Sequence, residues 1–305
     1  MEAFSKVAII GLGLIGSSIA HATRRGQLAK EIAGFDASAD VRQRADKIGF
    51  CDRVYDNIAA AVQDAKLVIL CTPVGTYRRV AEEIAPHLAH GAILSDVGSV
   101  KGAVIRDIGP SVPAGIHFIP AHPIAGTEFS GPEAGFATLF DGRWTILTPL
   151  KGADVTAVAQ LRGFWECLGS QVDEMDASHH DLVLAITSHL PHLIAYNIVG
   201  TAHDLEAVTE GEVIKYSASG FRDFTRIAAS DPTMWRDVFL NNREAVLEVL
   251  GRFNEDLSQV QRAVREGNGE LLFDTFSRTR AIRKAIIEMG QESAAPNFGR
   301  DQKKS

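Results

Sequence analysis

The chain has 305 residues, 46% of them hydrophobic and 23% charged, which is typical of a globular protein with a large buried core. Its formal net charge of −7 is spread without long basic runs, which argues against nucleic acid or a membrane surface as the main partner. A strand-like run begins within a few residues of Met1 and leaves no room for a targeting peptide, and no apolar run approaches the roughly 18 residues of a membrane span. We therefore expect a cytoplasmic protein.

Three cysteines, Cys51, Cys71 and Cys167, are scattered along the chain. Their small and odd number suits reduced thiols in a cytosolic protein. It suits neither a disulfide framework nor a metal site, so we assign them no role.

A glycine-rich turn follows the first predicted strand, residues 6–10. Gly11 permits a tight turn, Gly13 lets the backbone approach a pyrophosphate, and Gly16 lets the next helix pack on the strand. A second predicted strand ends at Asp36, where an acidic side chain can bond ribose hydroxyls. The alternative is a merely structural glycine turn. We expect the dinucleotide site to include Gly11, Gly13, Leu14, Ile15, Gly16 and Asp36.

Alternating strands and helices continue after Asp36. The pattern predicts helices at 39–48, 58–64 and 80–88, and strands at Val54, 67–71 and 92–96. Ligands of open α/β sheets bind beyond the carboxyl ends of the strands, so Thr72, Pro73, Ser99 and His122 should line one crevice. Ser99 could equally be an ordinary helix N-cap.

The periodicity changes near residue 176. Before it, the sheet is expected to extend through strands at 115–120, 143–148 and 170–174, with a helix at 161–168. After it, long helices are predicted at 178–203, 233–265 and 269–291. The predicted fold is an α/β Rossmann-type dinucleotide-binding domain (1–175), an all-α dimerisation domain (176–292) and a disordered tail (293–305). The apolar residues of these helices occupy more than one face, which a partner subunit would cover.

A single histidine, His122, lies in a predicted short loop between the strands at 115–120 and 143–148. An imidazole held on such flanks can accept a proton or a hydrogen bond near neutral pH. The alternative is a structural histidine bonded to a neighbouring carbonyl. The upstream glycine turn and the downstream His, Arg and Trp residues favour the chemical role.

Two polar clusters stand out in the helical half. His189 and His192 are three residues apart, on one face of a helix, but no carboxylate or thiolate lies at a matching spacing. We therefore expect them to line a substrate pocket and predict no metal site. Arg222, Arg226 and Arg236 could grip a carboxylate, the alternative being solvated helix charges.

Taken together, these motifs resemble the prephenate dehydrogenase family, which includes arogenate and cyclohexadienyl dehydrogenases. The resemblance covers roughly residues 5–290 and is carried by Asp96-Val-Gly-Ser-Val-Lys101, His122-Pro-Ile-Ala-Gly-Thr-Glu128, Ser188-His-Leu-Pro-His192 and Phe221-Arg-Asp-Phe-Thr-Arg-Ile-Ala228. It implies NAD-dependent oxidative decarboxylation of prephenate or arogenate, which yields 4-hydroxyphenylpyruvate or tyrosine. It also implies a homodimer formed by the helical domains.

The resemblance further implies roles for individual residues. His122 accepts a hydrogen bond from the ring hydroxyl of the substrate, and Ser99 bonds to His122 near the nicotinamide. Arg226 binds a carboxylate and His192 lies by the side-chain end of the substrate. The remaining expected substrate contacts are Thr127, His189, a charged gate of Glu128, Arg222 and Asp223, and Trp235 reaching in from the neighbouring subunit.

Two other functions compete with this interpretation. β-Hydroxyacid dehydrogenases share the glycine-rich turn and the helical second half. Their pattern, however, has a catalytic lysine in the first long helix of that half, where this chain has histidines. A non-catalytic nucleotide sensor would need the glycine turn and Asp36, but not His122 and Arg226. Among cofactors, NAD is expected over NADP, because Asp36 would repel a 2′-phosphate and the nearest cation, Arg42, is a helix turn or more away.

Overall fold

The computed structural model describes residues 2–127, 129–206, 216 and 218–288. Glu128 of the expected gate and the tail at 293–305 lie outside the described residues. The chain divides into two compact units between Leu247 and Glu248. The domain boundary after residue 175 stays a prediction.

A parallel sheet of six strands lies at the centre of the first unit. Its strand order is β3-β2-β1-β4-β5-β6, the order of dinucleotide-binding sheets. The strands β1 and β4 are buried along their whole length, as expected for continuous apolar runs in a sheet covered on both faces. The strands are β1 (Val7–Ile10), β2 (Ile32–Phe35), β3 (Arg53–Tyr55), β4 (Leu67–Leu70), β5 (Ile93–Asp96) and β6 (His117–Phe118).

Helices connect the strands of this sheet, and local sequence signals set their ends. The hydroxyl of Ser38 accepts a hydrogen bond from Val41 N at the start of α2, and Gly49 ends that helix in the left-handed conformation with φ of 80°. The side chain of Asn57 caps α3 by accepting from Ala59 N and Ala60 N. These helices are α1 (Leu14–Arg25), α2 (Ala39–Ile48), α3 (Ile58–Val62), α4 (Tyr77–Ile84) and α5 (Lys101–Ile108).

The predicted extension of the main sheet beyond residue 120 is wrong. The chain leaves that sheet after β6, and Pro120, which has no N–H to donate, accepts a bond from Thr148 N in a second sheet. This second sheet has the order β7-β8-β9, with β7 antiparallel and β9 parallel to β8. Its elements are β7 (Ala121–Pro123), β8 (Trp144–Leu147), α6 (Val155–Cys167) and β9 (Gln171–Glu174).

A nearly continuous helical run follows β9. It comprises α7 (Ala177–Leu184), a π-helical turn (Ala185–His189) and α8 (Leu190–Glu206). Pro191 lacks the N–H that would bond to Thr187, which accounts for the local change of helix type.

One helical run in this region passes the length and composition criteria of a membrane span, although no uninterrupted apolar run approaches that length. Residues Ala177–Leu205 are long enough to cross a membrane and contain an 18-residue window of mean hydropathy 1.5. The polar residues scattered through the stretch hide it when only uninterrupted apolar runs are sought. Several of them, including His180, Asp181 and His189, are buried in the protein.

The helix predicted at 233–265 is two helices. Asn242 separates them, and its side-chain amide donates to the carbonyl oxygen of Asp181 at 2.8 Å, which ties the break to α7. Beyond Leu247, in the second unit, the left-handed Gly267 ends α11 and the side chain of Asn268 accepts from Leu271 N. The helices of the C-terminal part are α9 (Ser219–Thr225), α10 (Pro232–Asn241), α11 (Arg243–Glu266) and α12 (Gly269–Glu288).

A fully buried ion pair joins the two sheets of the first unit. Lys101 Nζ lies 2.6 Å from Asp96 Oδ2, and both side chains have no exposed surface. The same two residues hold the backbone of Ala121 in β7: Lys101 Nζ donates to its carbonyl at 2.5 Å, and its N–H donates to Asp96 Oδ1 at 3.2 Å. The start of β7 is therefore fixed against the carboxyl end of β5.

We expect Lys101→Met to lower the free energy of unfolding by about 3–5 kcal/mol, because it leaves the Asp96 carboxylate buried without its partner. The control is Arg24→Met, which removes an exposed ion pair with Asp52 and should cost no more than about 1 kcal/mol. Urea unfolding of both variants measures the difference. Equal, small losses would show that the pair does not secure the sheets.

Candidate active site

The glycine turn has the shape that a bound dinucleotide requires. Gly11 has φ of 101°, and a Cβ there would lie 2.7 Å from the backbone of Cys71, so only glycine fits between β1 and β4. A Cβ on Gly16 would overlap the carbonyl oxygen of Gly11. Gly13 faces open space and has no side chain that caps α1, so the first N–H groups of that helix are available to phosphate oxygens. The expected contacts Gly11, Gly13, Leu14, Ile15 and Gly16 thus lie together.

Asp36 closes the same site at the end of β2. Its carboxylate accepts from Leu12 N at 2.9 Å and from Ser38 N at 2.9 Å, which fixes it beside the glycine turn. The expected separation of Arg42 from this loop needs correction. Its side chain folds back, and Nη1 donates to the carbonyl oxygens of Asp36 and Ala37 at 2.7 and 3.1 Å.

Two strand ends complete the cofactor side of the crevice. After β4, the hydroxyl of Thr76 donates to the carbonyl of Pro73 at 2.7 Å and lies 2.9 Å from Thr72 Oγ1, within hydrogen-bond distance, so this corner is held by its own hydroxyl groups. After β5, Ser99 is half-buried in the loop before α5. Thr72, Pro73 and Ser99 all lie at the carboxyl edge, where the sheet topology places ligands.

Neither local role expected for Ser99 is seen. The N-cap residue of α5 is Val100, and the first N–H groups of the helix are bonded instead by the Asp181 carboxylate. The described residues show no hydrogen bond between Ser99 and His122. The ring of His122 is bonded to His180 instead.

His122 lies in β7, where the sequence predicted a loop. It pairs with Ile146 of β8, and because Ala121 is tied to the last residue of β5, His122 lies at the carboxyl edge of the main sheet. The side chain is 8% exposed, and Nδ1 lies 2.8 Å from His180 Nε2. Burial, with the nearby His180 and Lys101, lowers the pKa of His122 well below 6.5. The imidazole is therefore neutral near pH 7.

His180 and Asp181 were missed by the sequence analysis. The Nδ1 of His180 lies 2.8 Å from Asp181 Oδ1, and burial lowers the pKa of His180 although the Asp181 bond opposes that shift. Both residues lie on α7, whose N-cap is Asp176. The sequence did contain a signal for them: adjacent titratable residues occupy the first turns of a helix that becomes apolar after Asp181.

His189 and His192 follow on the same helical run. His189 is buried, its Nδ1 accepts from the Asn242 side chain at 3.1 Å, and its Nε2 has no hydrogen-bond partner among the described residues. Burial lowers the pKa of His189 to about 4, so the ring is neutral, and its Nε2–H is buried without a partner among the described residues. The Nδ1–H of His192 donates to the carbonyl of Ser188 at 2.8 Å. No group of three or more possible metal ligands is found in the part of the chain that the structure describes.

Arg226 lies close to His192. Burial lowers the pKa of His192, and the positive charge of Arg226 lowers it further. Arg226 is the first residue of a short 3-10 turn directly after α9. The helix α9 itself carries the exposed Arg222 and the partly buried Asp223. The gate expected from Glu128, Arg222 and Asp223 stays a prediction, because Glu128 lies outside the described residues. Arg236, the third arginine of the predicted cluster, forms an ion pair with Asp237 on α10.

Trp235 departs from the expected position. It is 7% exposed and stacks on His192 of its own chain, with ring centroids 3.6 Å apart. The expectation that it reaches into a neighbouring subunit is therefore wrong in this structure, since its own core holds the ring. Thr127 lies on the surface, where its hydroxyl accepts from Phe129 N at 3.3 Å.

Comparison with known proteins agrees with this arrangement. The model of the prephenate dehydrogenase nucleotide-binding domain matches residues 19–174, and that of the prephenate dehydrogenase dimerization domain matches residues 176–278. The chain is similar to a cyclohexadienyl dehydrogenase of Zymomonas mobilis, with 43% identity over 94% of this chain and 97% of the relative. It is also 34% identical to a prephenate dehydrogenase of Bacillus subtilis, over 96% of this chain and 78% of the relative.

A solved structure shares the fold. The prephenate dehydrogenase of Aquifex aeolicus, crystallised with hydroxyphenyl propionate and NAD+, has a TM-score of 0.85 and 34% identity over 94% of this chain and 98% of that one. The sheet order, the glycine turn and both family-model matches lead to one conclusion: the chain belongs to the prephenate dehydrogenase family.

Proposed function

We propose that the chain is an NAD-dependent dehydrogenase that oxidatively decarboxylates prephenate, arogenate or both, in the biosynthesis of tyrosine. The observation that carries the proposal is a buried, neutral His122 at the carboxyl edge of a dinucleotide-binding sheet. Membership of the family favours this function over a β-hydroxyacid dehydrogenase or a nucleotide sensor. The helical run Ala177–Leu205 also contains histidines and no lysine. Formation of NADH with each of the two substrates in turn tests the proposal and shows which is preferred.

When bound, NAD would serve as the acceptor of the hydride that leaves the ring carbon bearing the hydroxyl. The bond to the ring carboxylate breaks, its electron pair enters the ring, and carbon dioxide leaves as the ring becomes aromatic. No proton is released overall, because the hydroxyl proton ends on the phenol. The protein therefore has to polarise the hydroxyl and hold the anionic ends of the substrate, and a neutral histidine suffices for the first task.

The remaining site residues suit the second task. We assign a substrate carboxylate to Arg226, because a guanidinium binds carboxylates through two parallel hydrogen bonds. His192 lies beside Arg226 and would contact the side-chain end of the substrate. The unpaired N–H of His189 offers a further neutral donor. We retain Ser99, Thr127, Glu128, Arg222 and Asp223 as proposed contacts at the edge of this pocket, and Trp235 as the ring on which His192 stacks.

Three free thiols support placing the reaction in the cytoplasm. Cys51, Cys71 and Cys167 are all unpaired. Reduced cysteines are typical of cytosolic proteins.

We expect His122→Asn to lower kcat roughly 10²–10⁴-fold with little change in KM, because the hydrogen bond to the hydroxyl strengthens as hydride leaves. Steady-state NADH formation measures both constants, and His21→Asn, whose ring packs against Phe50, is the matched control. Since burial holds the pKa of His122 well below 6.5, the wild-type kcat should be level from about pH 8 to about pH 6.5 and fall only under more acidic conditions, where the imidazolium forms. A raised KM with an unchanged kcat would make His122 a binding residue.

Arg226→Ala should act mainly on KM. The guanidinium holds a carboxylate in both the ground state and the transition state, so its loss should cost on the order of 2–5 kcal/mol in binding if the pair is desolvated. Arg78→Ala, which removes an exposed arginine paired with Asp107, is the control and should leave both constants unchanged. A loss confined to kcat would remove the carboxylate role.

We expect NAD to be preferred over NADP, because the Asp36 carboxylate would face a 2′-phosphate with like charge. The guanidinium of Arg42 next to this loop should soften the preference, so Arg42→Ala should weaken NADP further and leave NAD nearly unaffected. The ratio of kcat/KM for the two cofactors measures this. Equal efficiency of the wild type with both would refute the role of Asp36.

A homodimer through the helical part is the expected assembly. Phe273 and Phe276 on α12 are 71% and 56% exposed, and the most apolar 18-residue window of the run Ala177–Leu205 is only 22% buried, which leaves large apolar surfaces for a partner. Phe273→Glu should convert the dimer to a monomer in analytical ultracentrifugation. The control is Val155→Glu on α6 in the first unit, where the apolar side chain belongs to a residue that is 80% exposed. A wild-type monomer at micromolar concentration would contradict the proposal.

A further inference from the structure

A line of buried polar side chains continues behind His122. His122 Nδ1 lies 2.8 Å from His180 Nε2, and His180 Nδ1 lies 2.8 Å from Asp181 Oδ1. All three residues are buried: His180 has no exposed surface, and His122 and Asp181 are each 8% exposed. The chain of hydrogen bonds therefore runs from the site to α7 through the interior of the protein.

The N-terminus of α5 fixes the far end of this line. Asp181 Oδ1 accepts from Lys101 N at 2.7 Å, and Oδ2 accepts from Gly102 N at 2.8 Å. A Cβ on Gly102 would lie 2.9 Å from Asp181 Oδ2, so glycine permits the close approach. The carboxylate accepts three hydrogen bonds and has no proton to give, so it can only accept from His180.

That constraint sets the direction of every hydrogen bond in the line. Because Asp181 accepts, His180 carries its proton on Nδ1 and presents a lone pair at Nε2. This lone pair accepts the Nδ1–H of His122. The proton of neutral His122 is thus on Nδ1, and Nε2 is left as the acceptor that a substrate hydroxyl requires.

Both rings are neutral near pH 7, as this pattern needs. Burial is the largest cause that lowers the pKa of each. The other charged or titratable groups that act on the pair are Lys101 of α5, Asp96 of β5 and His189 of the π-helical turn. Lys101 and His189 disfavour an imidazolium at His122, and the two carboxylates favour one at His180.

We propose that His180 and Asp181 are positioning residues that hold His122 in the tautomer with a free Nε2 and support its charge during the reaction. The inference rests on the proposed function of His122. As hydride leaves the substrate, the hydroxyl proton moves to Nε2, and the imidazolium is stabilised through His180 by the negative charge of Asp181. When carbon dioxide departs and its electron pair enters the ring, the phenolate oxygen takes the same proton back.

The test compares two substitutions at one position. His180→Leu removes the acceptor for His122, so kcat should fall roughly 10²-fold while KM stays within about threefold. His180→Gln keeps an oxygen that can accept the Nδ1–H, so kcat should return to within about tenfold of the wild type. His21→Leu, which removes a half-buried imidazole outside the site, should leave both constants unchanged.

A second pair of variants separates positioning from helix capping. Asp181→Ala removes a carboxylate that bonds two N–H groups of α5, and Asn57→Ala removes the side chain that bonds two N–H groups of α3. Both should lower the melting temperature. Only Asp181→Ala should lower kcat, and by an extent similar to His180→Leu.

The tautomer itself is visible by NMR of protein labelled with 15N-histidine. We expect His122 to carry its proton on Nδ1 in the wild type and in His180→Gln, and to lose this fixed state in His180→Leu. A proton on Nε2 in the wild type, or equal kcat values for the Leu and Gln variants, would overturn the proposal. A wild-type protein that forms no NADH with prephenate or arogenate would instead refute the proposed function, whatever tautomer the spectrum shows.

Discussion

The buried ion pair of Asp96 and Lys101 is the constraint on which the site depends. Each ion would be costly to bury alone, and together they satisfy one another and both backbone groups of Ala121. Asp96 also accepts from Gly98 N at 2.7 Å, which folds the loop after β5 back over the pair. The residue that follows Ala121 is His122, so the position of the imidazole is a consequence of this electrostatic arrangement.

The same helix, α5, connects this pair to the second support of the imidazole. Lys101 contributes its side chain to Asp96 and its backbone N–H to Asp181. The strand that carries His122 and the helix that carries His180 are therefore both fixed to one turn of α5. Any movement of this turn would shift the histidine and its hydrogen-bond partner together, which keeps their 2.8 Å contact intact.

Features set by nearby residues could be predicted from the sequence. The glycine turn, Asp36 and the alternation of strands and helices depend on residues close together in the chain, and the six-stranded sheet follows from them. The grouping of His192 and Arg226 came from the family resemblance, and the structure places the two close together.

Features set by distant residues could not be predicted. The bond between His122 and His180 joins residues 58 apart, and the cap of α5 comes from Asp181, 80 residues after Lys101. The change of sheet at Pro120 and the helix break at Asn242 likewise depend on partners elsewhere, Thr148 and Asp181. Local patterns predict a strand or helix where the residues favour one, but they carry no information about which distant group will complete a hydrogen bond.

The most direct measurement is a crystal structure of the protein with NAD and 4-hydroxyphenylpyruvate bound together. We expect the phenolic oxygen within about 2.6–3.2 Å of His122 Nε2, with the Nδ1 of the same ring still bonded to His180. A carboxylate of the ligand next to His122, with the phenolic oxygen bonded elsewhere, would contradict the role of His122 as acceptor for the hydroxyl.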